Sequence, residues 1–158
     1  MRCEYIDKLI NACAFVPDYK ENIGKITKIY LKTGGCFVTR YSMRKVIDDF
    51  CTINLTVISK LRKLSSELIG GRNLKPIYVR TGIVMIPIKT TKPLVDGDKC
   101  FAYINLHCID DLYMTENIIR LNSGEEIPYI ESTNAVKLRL AEGTILQNKV
   151  TLKGAKII

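Results

Sequence analysis

The sequence has no tryptophan, a single histidine and no pair of cysteines separated by two residues. Its cysteines follow none of the spacings of the common zinc modules, so we predict free thiols and no metal site. No stretch approaches the roughly 20 apolar residues that a membrane helix needs. The first residues include Glu4 and Asp7 and are not followed by a cleavage-site pattern, so we expect a cytoplasmic protein without a membrane partner.

The common catalytic signatures are also missing. The chain contains no GxxxxGK[ST], GxGxxG, HExxH or GxSxG motif. Cys108 follows His107, but adjacent residues on a strand point to opposite faces, so we do not expect these two side chains to share a pocket. We therefore predict no enzyme activity and no cofactor.

Charge is unevenly distributed along the 158 residues, whose net charge is +8. Residues 20–92 carry 15 Lys or Arg against four acidic residues, a net charge of +11, whereas residues 96–131 carry −6. A basic tail with Lys149, Lys153 and Lys156 follows. Such segregation produces a directional field that attracts a polyanion, and nucleic acid is the leading candidate. A basic but inert surface remains the alternative.

The strand pattern predicts one α+β domain over residues 1–158, rich in antiparallel strands. Three turn signals indicate hairpins: Thr33-Gly34-Gly35 between 25–32 and 36–41, Thr81-Gly82 between 77–80 and 83–88, and Asn122-Ser123-Gly124 between 118–121 and 125–130. Further strands are expected at 100–106 and 111–115. Pro87 should lie where the sheet needs no backbone donor.

Helices are predicted in three places. Ser42 can cap a short helix. One long amphipathic helix is predicted near the middle of the chain, with Gly70-Gly71 at its end. Its apolar stripe consists of Ile53, Val57, Leu61, Leu64 and Leu68. Ser132 can cap a short helix near the C-terminus that Gly143 ends, followed by an edge strand.

Basic residues on and after the long helix are the candidate DNA contacts. Cations mixed with Ser hydroxyls suit phosphate oxygens and base edges. The predicted contacts are Lys60, Arg62 and Lys63 on the helix, Arg72 and Lys75 after it, and Lys89 and Lys92 in a later loop. Whether the helix or that loop makes the main contacts stays open.

Several short segments occur in a characteristic order along the chain. They are Ala14-Phe15-Val16-Pro17-Asp18, Gly24-Lys25-Ile26, Cys36-Phe37-Val38, Val46-Ile47-Asp48-Asp49-Phe50-Cys51, Lys75-Pro76-Ile77, Met85-Ile86-Pro87 and Cys100 with Tyr103-Ile104. In this order, from about residue 12 to about residue 146, the chain resembles a distant member of the ComK family of competence transcription factors. The pattern from 103 to 140 is also faintly similar to LytTR-type β-rich DNA-binding domains.

The resemblance implies a transcription activator that binds AT-rich double-stranded DNA, largely through the minor groove, as a homodimer or higher oligomer. A narrow minor groove attracts Arg and Lys, so no recognition helix in the major groove is required. RNA polymerase or a regulatory adaptor would be further partners. The alternative is a protein-interaction adaptor or inhibitor of a mobile element, with the apolar stripe or the acidic segment as its contact surface.

Overall fold

The computed structural model describes residues 2–71, 74–90, 101–113 and 115–157, with side chains up to residue 154. Within these residues, the α+β class predicted from the sequence is confirmed. The elements are α1 (Cys3–Ile10), β1 (Ala12–Lys20), β2 (Gly24–Leu31), β3 (Cys36–Thr39), α2 (Met43–Ile53), α3 (Ile58–Ile69), β4 (Ile77–Arg80), β5 (Ile83–Lys89), β6 (Phe101–Asn105), a 3-10 turn (Leu106–Cys108), β7 (Ile109–Tyr113), β8 (Ile118–Leu121), β9 (Glu126–Pro128) and α4 (Thr133–Ile157).

Two antiparallel sheets organise these elements. The larger has the order β3-β2-β1-β6-β5-β4, and the smaller has the order β7-β8-β9. The three predicted hairpins are confirmed as β2–β3, β4–β5 and β8–β9. Because β6 pairs with both β1 and β5, it joins the first and second halves of the chain in one sheet.

Each face of the large sheet has its own apolar core. On one face, Phe15 of β1 packs edge-on against Phe50 of α2, with ring centroids 4.9 Å apart. We call this the helical face, because α1, α2 and α3 cover it. On the opposite face, Ile86 and Ile104 pack with the small sheet and with Val136 of α4. The alternation of side chains along each strand therefore decides which core a residue joins.

The first helix and strand were not predicted from the sequence. Residues Ala12 to Val16 of β1 are all buried, because both faces of this strand are covered. Such a strand shows no alternation of apolar and polar residues, so the period that identifies a half-buried strand is absent.

The predicted long helix is wrong at its start. α2 continues to Ile53, and α3 begins only at Ile58, so the apolar stripe spans two helices. Leu61 and Leu68 of that stripe are buried in the core, whereas Val57 is 48% exposed. The part of the stripe that lies on α3 is thus mainly core.

The predicted end of the last helix is also wrong. Ser132 caps α4 as expected, since its Oγ accepts from the backbone N–H of Ala135 at 3.2 Å. The helix then continues through Gly143 to Ile157, where an edge strand was expected. Gly143 is buried and packs against Ile86, so it serves close packing between α4 and β5.

The position of Pro87 agrees with its lack of a backbone donor. Its carbonyl accepts from the Arg139 guanidinium at 3.2 Å. Two residues later, the backbone N–H of Lys89 donates to the Glu131 carboxylate, and the Lys89 carbonyl accepts from the backbone N–H of Ile130. Alternate residues of a strand direct their backbone groups to the same side, so Pro87 nitrogen also points away from β6. No ladder bond is lost there.

Candidate nucleic-acid interface

A cleft of about 910 Å³ lies between α2, α3 and one end of the large sheet. Four cations from four parts of the chain line it: Lys25 of β2, Arg44 of α2, Arg62 of α3 and Lys75 before β4. Asp18 and Asp48 also line the cleft, although the Asp18 carboxylate pairs with Lys28 on the other face of the sheet, and the apolar and aromatic floor includes Ile47, Ile77, Phe101 and Tyr103. Positive charge is therefore in excess inside a concave site, which focuses the field.

The start of α2 places Arg44 at this cleft. Ser42 adopts an extended conformation before the helix, and its Oγ accepts from the backbone N–H of Lys45 at 3.2 Å. This N-cap fixes the first turn. Because Ile47 and Phe50 then turn into the core, Arg44 remains exposed beside the cleft.

A four-residue connection, 54–57, separates α2 from α3. The N–H of Thr56 donates to the carbonyl of Cys51 at 2.9 Å, and that of Leu55 donates to Thr52 at 3.0 Å. These bonds form a Schellman closure, which requires a left-handed residue, and Leu55 has a φ of 59°. Two helices joined by such a short turn have the connectivity of a helix-turn-helix unit.

The exposed side of α3 continues the basic surface away from the cleft. Leu61, Ser65 and Leu68 face the core, and Ser65 Oγ donates to the carbonyl of Pro76 at 2.7 Å. At about 100° per residue, Arg62 lies on the flank beside the cleft and Lys63 on the outermost side of the helix. Lys60 and Glu67 lie beyond Lys63, toward the other flank. Lys60, Arg62 and Lys63 are all exposed.

Lys75 is held in position by the chain that precedes it. Its Nζ lies 3.4 Å from Ser66 Oγ and also donates to the carbonyl of Gly71. Gly71 has a φ of 90°, and a Cβ there would lie 3.2 Å from Lys75 Cε. Glycine thus allows the left-handed backbone that curls around the lysine.

Alternation along β2 separates its lysines. Lys25 is on the same side as the buried Thr27 and Ile29, which face the helices. Lys28 is on the opposite side and pairs with Asp18 at 2.9 Å. Burial alone would raise the pKa of Asp18, but the hydrogen bonds from Lys28 and from the Tyr19 N–H lower it.

Of the predicted contacts, Arg62 and Lys75 come together in the cleft, and Lys60 and Lys63 lie on the exposed side of α3. Lys89 is half-buried at the end of β5 and does not line the cleft. Arg72 and Lys92 lie outside the described residues. The basic segment does not form one continuous surface, because Lys28 is on the other face of the sheet.

Lys25 and Arg44 were missed as members of the site. Each belongs to a locally ordinary pattern, a half-buried strand and a capped helix. The available signal was the alternation of side chains along β2. Lys25 is on the same side of that strand as the apolar Ile29, and this side faces the helices. Tertiary structure was needed to show that the two elements meet.

The acidic residues of the small sheet lie on the other side of the large sheet. β7, β8 and β9 pack on the face of the large sheet opposite α1 to α3. There Asp110 and Asp111 are exposed, and Glu126 is paired with Arg120 at 3.9 Å. This part of the charge segregation in the sequence is therefore also a segregation in space.

His107 and Cys108 occupy one cavity, contrary to expectation. Both line a space of about 280 Å³. They belong to a 3-10 turn, fixed by the side chain of Asn105, which accepts from the His107 N–H at 3.1 Å. The rule that adjacent residues point apart applies to strands, so it does not hold here. The His107 ring contacts the Gln147 side chain of α4.

Comparisons with family models, with curated proteins and with solved structures find no match to this chain. The resemblance to the ComK family therefore stays a prediction. Among the described residues, no helix combines the length and the apolar character that crossing a membrane requires.

Proposed function

We propose that the chain is a double-stranded DNA-binding transcription regulator that contacts phosphates with α3 and with the rim of the basic cleft. The observation that supports this most directly is the convergence of Lys25, Arg44, Arg62 and Lys75 from four separate elements. Hydroxyl groups line the same cleft, at Ser42, Ser59 and Ser66. Cations interleaved with hydroxyl donors are the side chains that proteins use to contact phosphate oxygens.

The arrangement of the two helices supports the same proposal. α2 packs on the sheet, and the short turn at Leu55 presents α3 with its basic side outward. The acidic small sheet lies behind the large sheet, so a duplex bound at α3 would not meet it. Like-charge repulsion would otherwise oppose binding.

The sequence preference and the sign of regulation rest on the ComK resemblance. It implies an activator of AT-rich sites read through the minor groove. Arg62 and Lys63 are exposed cations, and such side chains are attracted to the enhanced negative potential of a narrow A-tract groove. Cations of the cleft rim and of α3 would thus contact phosphates, and exposed cations of α3 would also enter the minor groove.

The test is a fluorescence anisotropy titration of a labelled AT-rich duplex. The variant Lys60→Gln/Lys63→Gln should weaken binding by about tenfold, which corresponds to ~1.4 kcal/mol of lost contacts. The control Lys137→Gln/Lys153→Gln removes the same charge from exposed positions of α4 and should change affinity much less. Equal losses from both pairs would contradict a site on α3.

Selectivity is tested in the same assay by competition. An unlabelled AT-rich duplex should displace the probe at a lower concentration than a duplex of mixed sequence. Displacement at equal concentrations would mean that the chain binds duplexes without selectivity, which would contradict a sequence-selective regulator.

A further inference from the structure

Two buried cysteines from distant parts of the chain meet beneath the small sheet. Cys13 is 1% exposed and Cys108 is 9% exposed. Cys13 is the extra residue of a β-bulge, since Ala12 pairs with Leu31 and Ala14 with Tyr30. The bulge turns Cys13 to the face where Cys108 ends the 3-10 turn, and the two side chains belong to one buried cluster and line the same cavity. Bulges commonly redirect a side chain in this way.

The two thiols line the cavity of about 280 Å³ together with polar groups. Lys32, His107, Asn105 and Ser123 also contribute to its lining. The Ser123 hydroxyl is buried and has no hydrogen-bond partner among the described residues. A buried polar atom without a partner is rare in proteins and indicates room for a small polar molecule.

The chemical surroundings make the two thiols unequal. The hydrogen bond from Cys13 lowers the pKa of Cys108, and the positive charge of Lys32 acts in the same direction, while burial opposes both. The same hydrogen bond and burial raise the pKa of Cys13. Cys108 is thus the thiol that ionises first, and Cys13 is its proton-bearing neighbour. A thiolate is the form of cysteine that reacts.

We propose that Cys108 and Cys13 form a peroxide-reactive thiol pair, with Cys108 as the sulfur that is oxidised first and Cys13 as the thiol that resolves it. The Cys108 thiolate attacks one oxygen of hydrogen peroxide, the O–O bond breaks, and the products are a Cys108 sulfenic acid and hydroxide. The sulfur of Cys13 then attacks the Cys108 sulfur and loses its proton. The S–O bond breaks, water leaves and a disulfide forms.

The remaining described cysteines lack this combination. Cys3 and Cys36 are exposed, and burial raises the pKa of Cys36. Burial, with the nearby Asp48, raises the pKa of Cys51 to about 11. Cys100 lies outside the described residues. The pair is therefore distinguished by a thiol neighbour, by Lys32 and by the adjoining polar cavity.

The experiment uses the full chain carrying Cys3→Ser and Cys36→Ser, which removes the thiols that are exposed among the described cysteines and could cross-link molecules. The protein is treated with equimolar hydrogen peroxide, alkylated, digested without reductant and analysed by mass spectrometry. We expect a disulfide between Cys13 and Cys108 that dithiothreitol reverses. Its absence, with both thiols alkylated, would overturn the proposal.

Two variants assign the roles within the pair. In the same background, Cys13→Ser should leave a Cys108 sulfenic acid that dimedone traps, and Cys108→Ser should leave Cys13 unoxidised. Circular dichroism and the unfolding transition verify that each variant is folded. Dimedone labelling at Cys13 in the Cys108→Ser variant would reverse the assigned roles and so contradict the proposal.

A surface variant tests the pair without altering the core. Lys32 is exposed, so Lys32→Gln should fold normally and slow oxidation of Cys108 several-fold at neutral pH. The matched control Lys20→Gln, at the other end of the same strand pair, should react at the parental rate. Equal rates for both variants would remove Lys32 from the site and would contradict the proposal. DNA binding is not required for either result.

Discussion

Gly143 of α4 packs directly against the side chain of Ile86 in β5, and a methyl group on Gly143 would overlap Ile86 Cδ1. This contact lets the helix axis approach the large sheet closely. It also explains why glycine occurs in the interior of a helix, where it is intrinsically unfavourable.

We predict that Gly143→Ala lowers the free energy of unfolding by up to about 2 kcal/mol. Alanine gains ~1 kcal/mol of helix propensity, but overpacking against Ile86 costs ~1–3 kcal/mol. The control is Gly154→Ala, because Gly154 is exposed in α4 and a Cβ there would meet no atom of the described residues within 4 Å. Urea denaturation measures both variants. If Gly143→Ala were as stable as the control, the close packing of α4 on β5 would be contradicted.

Leu55 provides a second test, at the turn between α2 and α3. Leu55 is 95% exposed, so its replacement would remove few packing contacts. Its φ of 59° places it in the left-handed region. We predict that Leu55→Gly raises the free energy of unfolding by ~0.5–1 kcal/mol, because glycine has no steric penalty in that region.

The matched control for that prediction is Leu152→Gly. Leu152 is also exposed, at 62%, but lies within α4. Glycine at this position should lower the free energy of unfolding by up to ~1 kcal/mol, because it increases the backbone entropy of the unfolded chain and relieves no strain in the folded helix. The signs of the two changes should therefore differ, and a loss of stability in both variants would contradict the turn geometry.

The ion pair between Arg139 and Glu131 should be important for stability. Their side chains are only 17% and 12% exposed. Arg139 also donates to the Pro87 carbonyl, and Glu131 accepts from the Lys89 N–H. We predict that Arg139→Met costs ~3 kcal/mol, because it leaves a nearly buried carboxylate without its cation.

Two further variants test the cause of the stability loss expected for Arg139→Met. Arg139→Met/Glu131→Gln should recover part of the stability, since a neutral amide oxygen can still accept from the Lys89 N–H. Arg120→Met removes the exposed pair with Glu126, whose side chains are 40% and 46% exposed, and should cost less than ~1 kcal/mol. Similar losses for Arg139→Met and Arg120→Met would contradict the difference in burial.

Local signals predicted the hairpins well. Thr33-Gly34-Gly35 and Thr81-Gly82 specify tight turns, and the flanking strands have the expected pairing. The same kind of signal failed at Gly143, because a glycine that ends a helix and a glycine that permits close packing look identical in sequence. At 54–57 an apolar stripe suggested one helix, although hydrogen bonding of the turn divides it into two.

The sites depended on long-range pairing that sequence patterns do not record. Arg62 was predicted from its helix face, but its place in the same cleft as Lys25 and Arg44 follows from how α2 packs on β2 and α3 packs against α2 and β4. Cys13 and Cys108 were treated as isolated thiols, since neither the bulge at Cys13 nor the 3-10 turn at Cys108 has a recognisable motif. In both cases the elements were easier to predict than their contacts.

The most direct test of the proposed function is the salt dependence of duplex binding. Affinity for an AT-rich duplex is measured from about 50 to about 200 mM salt for the wild type and for Arg62→Gln/Lys75→Gln. If both cleft cations neutralise phosphates, the slope of log K against log salt should become shallower by about two in the variant, at about one per contact. The Lys137→Gln/Lys153→Gln control should keep the wild-type slope. An unchanged slope in Arg62→Gln/Lys75→Gln would contradict the cleft as a phosphate-binding surface.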